Sequence, residues 1–386
     1  MQARWKTITG WVIAAAVAVA VFLAIHGSRS EPVPPPRRPV SKSPQISAPK
    51  PGRPAELART TVPPDTAATK PQFEVCVDGR PRTVTLTDPG DVSQYVFEMK
   101  PETYDRWKSA LIGGADARAR AVGLALQRFD DISAGSLAAD TSVEQLVDLA
   151  TTARDPVAYG VAVGVCKTGI TEDVAPACRR LTLSEWSKLD PDNAVPWLAA
   201  AATARNNGDS WAESVAFARA AQAHKVDDYG KSSLSAALAV LPADTSRPER
   251  LAGQIRLIGY EAARARPDIM ETSRYCSAAP LQQSKIHDQC DAVAELLVDQ
   301  GESLLNFSLG RSIGQRVGWP AARLDQMAQE RDALRGLVNS SGGNGMLSCD
   351  AMAWQDDFLK RRGEVGELAA LRELRDKRAQ GGQLSN

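Results

Sequence analysis

The sequence predicts a mainly α-helical protein, an array of helical hairpins opened by one small β-hairpin. Three observations predict it. Hydrophobic residues make up 43% of the chain but aromatics only 5%, so the core is expected to be built from Ala, Leu and Val, which suits closely packed helices. Beyond Asp91 apolar residues recur at spacings of three and four, the period of an amphipathic helix. Before it, two short β-rich runs, Phe73–Val77 and Arg82–Leu86, flank Asp78-Gly79, as in a hairpin.

At the N-terminus, residues 1–7 form a short tail carrying Arg4 and Lys6. Residues 8–25 carry no charge and match the length of a membrane-spanning helix, and no small-x-small cleavage site follows Ile25. The expectation is an uncleaved signal anchor with residues 1–7 in the cytoplasm. Residues 26–71 are rich in Pro, Ser, Ala, Lys and Arg (Pro32-Val-Pro-Pro-Pro-Arg-Arg-Pro39 is typical). They hold too few large apolar residues to offset ordering entropy, so a disordered linker with polyproline character is expected.

Net charge is zero but unevenly spread. Gly27 to Pro71 holds eight Lys/Arg against three Asp/Glu, leaving 36 against 43 from Gln72 onward. A mildly acidic body lacks the basic footprint of a nucleic-acid binder, so no nucleic-acid partner is expected.

The folded part is expected to start with the β-hairpin at 72–90, where Pro81 lengthens the turn or lies on an edge. A helical domain follows over 91–378, and then a polar tail, 379–386. Ser142 and Gln145 read as a capping box ahead of Val143, Leu146, Val147 and Ala150. Asp155-Pro156 starts another helix. Asp173 to Leu189 reads as one helix carrying Cys178, Leu181 and Trp186. Apolar faces then follow at Leu251, Ile255, Ile258 and Ala262, and at Ile286, Cys290, Val293 and Leu297. Gly318-Trp319-Pro320 opens a helix through Leu324, Met327 and Leu334. Two last helices cover Met352–Leu359 and Val365–Leu374.

Between Leu189 and His224 the punctuation is sharpest. Pro191 ends one helix, Asn193 caps the next, Pro196 falls in its first turn, and Gly208-Asp209 separates it from a second helix starting at Trp211. Trp197, Ala201, Gly208, Phe217 and Ala220 stand where a tetratricopeptide repeat places its aromatic, small, turn, aromatic and small residues. The stretch resembles one such repeat, with Ala200, Ala204 and Glu213 departing from the pattern. The resemblance implies helical-hairpin architecture and contact with protein, with Trp197 buried near Phe217 and Ala220.

Six cysteines lie beyond the apolar segment and none forms a Cys-x-x-Cys pair. An even set in an exported domain reads as a disulfide framework. Spacing pairs Cys166 with Cys178 and Cys276 with Cys290, which leaves Cys76 with Cys349. This chemistry places the body on the extracytoplasmic, periplasmic side of a plasma membrane.

Motifs of catalysis and metal binding are weak. Gly310-x-Ser312-x-Gly314 fits a nucleophile elbow, but its surroundings have helical spacing and His26, His224 and His287 all precede Ser312. Asp190-Pro-Asp192 sits in a helix break that capping explains. His287 and Cys290 lack a second ligand pair. Ser340–Gly345 lacks the Lys-Ser/Thr of a phosphate loop. Asn306 and Asn339 open glycosylation triplets. Asp227-Asp228 and Asp356-Asp357, being adjacent, are expected to diverge. No catalytic residue, cofactor or metal ligand is assigned. The Ala-rich composition, with Arg exceeding Lys, points to a bacterial source. The expected function is a membrane-anchored envelope scaffold that binds protein; the alternative is an envelope enzyme, such as a wall-polymer hydrolase.

Overall fold

The computed structural model describes residues 72–77, 79–85, 99–133, 141–167, 175–263, 267–277, 280–340 and 348–380. The chain divides between Pro71 and Gln72, and the description concerns the unit from Gln72 onward. The expected tail, anchor and linker at 1–71 lie outside the described residues, as do 86–98, most of the loop after Ser340, and the tail beyond Gln380.

Strands β1 (Gln72–Val77) and β2 (Arg80–Thr85) pair antiparallel, with Phe73 opposite Val84 and Cys76 opposite Pro81. Gly79 turns the chain at a φ of 74°, a conformation that suits glycine. Pro81 lies inside β2 instead of lengthening the turn. A two-stranded ribbon has only edges, so the missing N–H is tolerated. Val75 is buried, and β1 packs on the helix that begins at Cys349.

Sixteen α-helices follow among the described residues. The first four pack in succession: α1 (Pro101–Gly113), α2 (Ala117–Ser133), α3 (Thr141–Ala153) and α4 (Pro156–Lys167). A Cβ on Gly123 would lie 2.7 Å from that of Leu111, so its glycine lets α2 approach α1. α3 begins one residue before Ser142, which is buried inside the helix and not its cap. α4 starts as expected, with Asp155 Oδ1 accepting from Val157 N and Ala158 N at 2.9 and 3.0 Å. Every residue from Val157 to Cys166 is buried, which makes α4 a central helix.

The helix expected from Asp173 to Leu189 is two, α5 (Ala175–Cys178) and α6 (Leu183–Leu189). The break has a cause. Tyr159 Oη bonds both the N–H and the C=O of Thr182, and the Thr182 side chain caps Glu185 N. These bonds replace the helical ones there.

α7 (Ala194–Asn206) and α8 (Ser210–Ala220) form the most tightly associated pair, followed by α9 (Gly230–Ala239), α10 (Arg247–Ala263) and α11 (Pro267–Tyr275). α12 (Ser284–Asp299) and α13 (Leu304–Arg316) make another hairpin. α14 (Ala321–Ser340), α15 (Cys349–Val365) and α16 (Glu367–Ala379) complete the body. In α10 the buried face is Leu251, Gln254 and Leu257, while Ile255 is 41% exposed. The expected apolar stripe is thus turned, because buried Gln254 and exposed Ile255 exchange the places their polarity suggests.

The hairpins do not stack only on their sequence neighbours. α9 packs against α2 and α15, α7 against α11, and α14 against α16. α9 therefore joins the early helices to the late ones. A simple solenoid would contact only adjacent repeats.

Candidate functional site

The repeat residues come first. Ala201, Phe217 and Ala220 are fully buried in the α7–α8 seam, and Gly208 makes the turn at a φ of 74°. Trp197 departs from expectation. It is half-buried, and its Nε1–H donates to Pro191 O at 2.9 Å. Phe217 stacks instead on Tyr275, ring centroids 3.8 Å apart. α11 supplies that ring, so the aromatic expected of Trp197 comes from a distant helix.

Below this hairpin lies a buried polar hub. Asn193, with no exposed surface, caps α7 through Oδ1, which accepts from Val195 N and Asp227 N at 3.2 and 3.0 Å. Its Nδ2 faces Asp227 O at 2.8 Å, Tyr229 Oη at 3.0 Å and Asp190 Oδ2 at 3.1 Å. Tyr229 Oη donates to Asp190 Oδ2 at 2.8 Å, and Lys225 Nζ pairs with Asp190 Oδ1 at 2.9 Å. Burial raises the Tyr229 phenol well above its ordinary value, and Asp190 raises it further. Tyr229 also holds a φ of 64°, a strained conformation for a bulky residue that persists because its surroundings enforce it. Its ring packs on Trp186.

Beyond the hub, the carboxylates of Asp227, Asp228 and Glu302 converge, with one oxygen of each within 4.8 Å of the others. This corrects the expectation that the adjacent aspartates diverge. They lie on the turn before α9, not on a helix. Asp227 Oδ1 accepts from Tyr229 N, and Asp228 Oδ1 from Gly230 N. Glu302 pairs with Lys231. Burial raises both the Asp227 and Glu302 carboxyls, with Asp228 adding repulsion in each case. Burial lowers Lys231, but Glu302 together with Asp227 and Asp228 more than offsets it, and the ammonium ends above its usual value. Three carboxylates at such spacing could hold a hard divalent cation. In the structure as it stands, backbone N–H groups and Lys231 already use them.

A second feature lies on the outward face of α8. Trp211 is 76% exposed and Val215 42%. With Ser214, Ala218, Arg219, Gln222 and Lys285 they line an open groove of about 380 Å³. The spacing 211, 215, 218, 222 is a helical stripe opposite Ala216, Phe217 and Ala220, so α8 presents an apolar strip on two sides. That double pattern is legible in the sequence, yet Trp211 reads there only as the start of a helix.

The remaining motifs have structural roles. Gly310 and Gly314 lie inside α13. A Cβ on Gly310 would meet Ala294 O and Val298 at 2.8 Å, and Trp319 fills the space over Gly314, so the two glycines let α13 pack closely. Asp190 is a buried hub member, not only part of a cap. His287 Nε2 contacts Val317 O at 3.1 Å. Asp356 is held by a forked ion pair with Arg250. Asn306 is buried in α13, which leaves no room for a glycan in the folded state; the Asn339 triplet runs outside the described residues. Cys166 is bonded to Cys178, Cys276 to Cys290 and Cys76 to Cys349, with Cα atoms 5.6, 5.6 and 4.7 Å apart. The last joins β1 to the start of α15. Among the described residues no helix is long and apolar enough to cross a membrane.

No protein-family model, curated protein or solved structure matches the chain.

Proposed function

We propose that the protein is a membrane-anchored scaffold of the cell envelope that binds another protein through the outward face of α8. The observation that carries this reading is the exposed Trp211–Val215 strip. A large aromatic left in water beside an open groove fits a contact surface, where Trp is enriched. The uncharged run at 8–25 supports a single-pass anchor in a plasma membrane, and 26–71 supports a tether. The three disulfides support an oxidising, extracytoplasmic compartment for the body. On this reading α7–α8 is a tetratricopeptide-like unit. The buried Ala201, Phe217 and Ala220 and the turn at Gly208 support it, and the half-buried Trp197 marks its departure.

Quantitative affinity purification from native membranes tests the proposal. A partner protein is expected with the wild type and lost with Trp211→Ala combined with Val215→Asp, while the variant keeps its fold and abundance. An unchanged set of co-purified proteins would overturn it.

A second reading is enzymatic, and one observation favours it. Asp227 and Glu302 are close, desolvated carboxylates, which a wall-polymer hydrolase could use as acid and base. Glu302→Gln should then abolish release of soluble fragments from envelope polymers. Equal release by both proteins removes this reading.

A further inference from the structure

The groove on α8 is lined by two cations and by no acidic residue. Several arginines elsewhere are paired: Arg106 with Asp244, Arg250 with Asp356, Arg323 with Glu295, Arg361 with Glu373. Among the described residues, Arg219 and Lys285 have no carboxylate partner, and no acidic residue lines the groove. Lys285 also sits in the first turn of α12, whose N-cap, Gln283, makes no side-chain capping bond. A cation there adds to the positive pole of the helix instead of balancing it. The groove therefore combines two cations, Arg219 and Lys285, with the apolar Trp211 and Val215.

Dimensions follow from the helix. Trp211 and Arg219 are eight residues apart, about 12 Å at 1.5 Å per residue. The whole strip to Gln222 spans about 16 Å, the length of about five extended residues. Seven lining side chains fall short of the roughly 20–30 residues a side of a standard interface between folded domains. The site suits a segment rather than a globular face. The chain's own linker is a poor occupant, because its excess of Lys and Arg meets Arg219 and Lys285 with like charge.

We propose that this groove docks a short acidic protein segment, one bearing a large apolar side chain over Trp211 and Val215 and carboxylates for Arg219, about 12 Å along the helix, and for Lys285. The proposal rests on the protein-binding reading and names the chemistry of the partner.

The test is selection of a displayed random twelve-residue peptide library on the immobilised full chain in lipid nanodiscs, followed by affinity measurement of the recovered peptides. Recovered peptides should combine Asp or Glu with Trp, Phe or Leu. Trp211→Ala should weaken them at least tenfold, and raised salt should weaken them too. Arg219→Glu with Lys285→Glu should shift selection towards Lys- and Arg-bearing peptides. All three side chains are exposed, so circular dichroism and the thermal midpoint should not change. Peptides with no acidic bias, or binding unaffected by these substitutions, would overturn the groove while leaving protein binding intact. Recovery of no peptide, with Trp211-dependent binding to vesicles of anionic lipid or Val215-dependent dimerisation in its place, would overturn the groove as a segment site and remove the support it lends to protein binding.

Discussion

Replacing Asn193 by alanine should cost far more than loss of one helix cap. Its side chain faces five partners at 2.8–3.2 Å on three stretches of chain: Asp190, Val195, Asp227 twice and Tyr229. The cap on α7 contributes about 1 kcal/mol. The N–H and C=O of Asp227 then lose their partner inside the fold, at about 1–3 kcal/mol for each group left unsatisfied. Tyr229 Oη and Asp190 keep each other, which limits the damage. The loss works out at no less than about 3 kcal/mol, a large share of the roughly 5–15 kcal/mol that holds a folded domain together. Urea unfolding of the oxidised protein, followed by helical circular dichroism, should show a midpoint lower by about 1–2 M with an unchanged slope. Asn193→Asp is the companion variant. It keeps the Oδ1 acceptor but sets a second carboxylate against Asp190, so it should be harmful at neutral pH and recover on acidification. A loss below about 1 kcal/mol for Asn193→Ala would show that the hub does not hold these segments together.

Phe217→Ala should cost about 3–5 kcal/mol, as deletion of a fully buried ring that stacks on Tyr275, and Trp197→Ala distinctly less; equal losses in urea unfolding would contradict the packing. For Asp227 the sign follows from its raised carboxyl: its contribution is present below the ordinary carboxylate range and is lost as pH rises through the raised value. Asp227→Asn should therefore gain in stability relative to wild type as pH climbs above about 4, and a flat difference between the two proteins would refute this. Removing the Cys166–Cys178 bond, with its separation of 12 residues, should cost about 3 kcal/mol, and removing Cys76–Cys349, separated by 273, more than about 4; thermal unfolding of the paired serine variants checks the order.

Much of the helical architecture is legible because capping is local chemistry. Asp155-Pro156, Asn193 and Gly208-Asp209 mark helix ends by groups that act within three or four residues. The hidden features depend on distant partners. Nothing near Thr182 announces that Tyr159, 23 residues away, splits the expected helix. Likewise, Asp227 and Asp228 meet Glu302 only because α13 begins beside the turn before α9. Tyr275 takes the place by Phe217 that local spacing assigns to Trp197. At α8 the signal was present: an apolar strip at 211, 215 and 218 opposite the one at 216, 217 and 220. Unlike central α4, α8 buries one of its apolar sides and leaves the other exposed.

The central claim, that the outward face of α8 meets a protein partner, is tested most directly by a photo-crosslinking amino acid placed at Val215 in the full chain and irradiated in the native cell. A discrete adduct of protein mass is expected at 215, absent when the same probe stands at exposed Glu144 on α3 and diminished by Arg219→Glu with Lys285→Glu. Equal labelling at both positions, or lipid adducts alone at 215, would contradict the account.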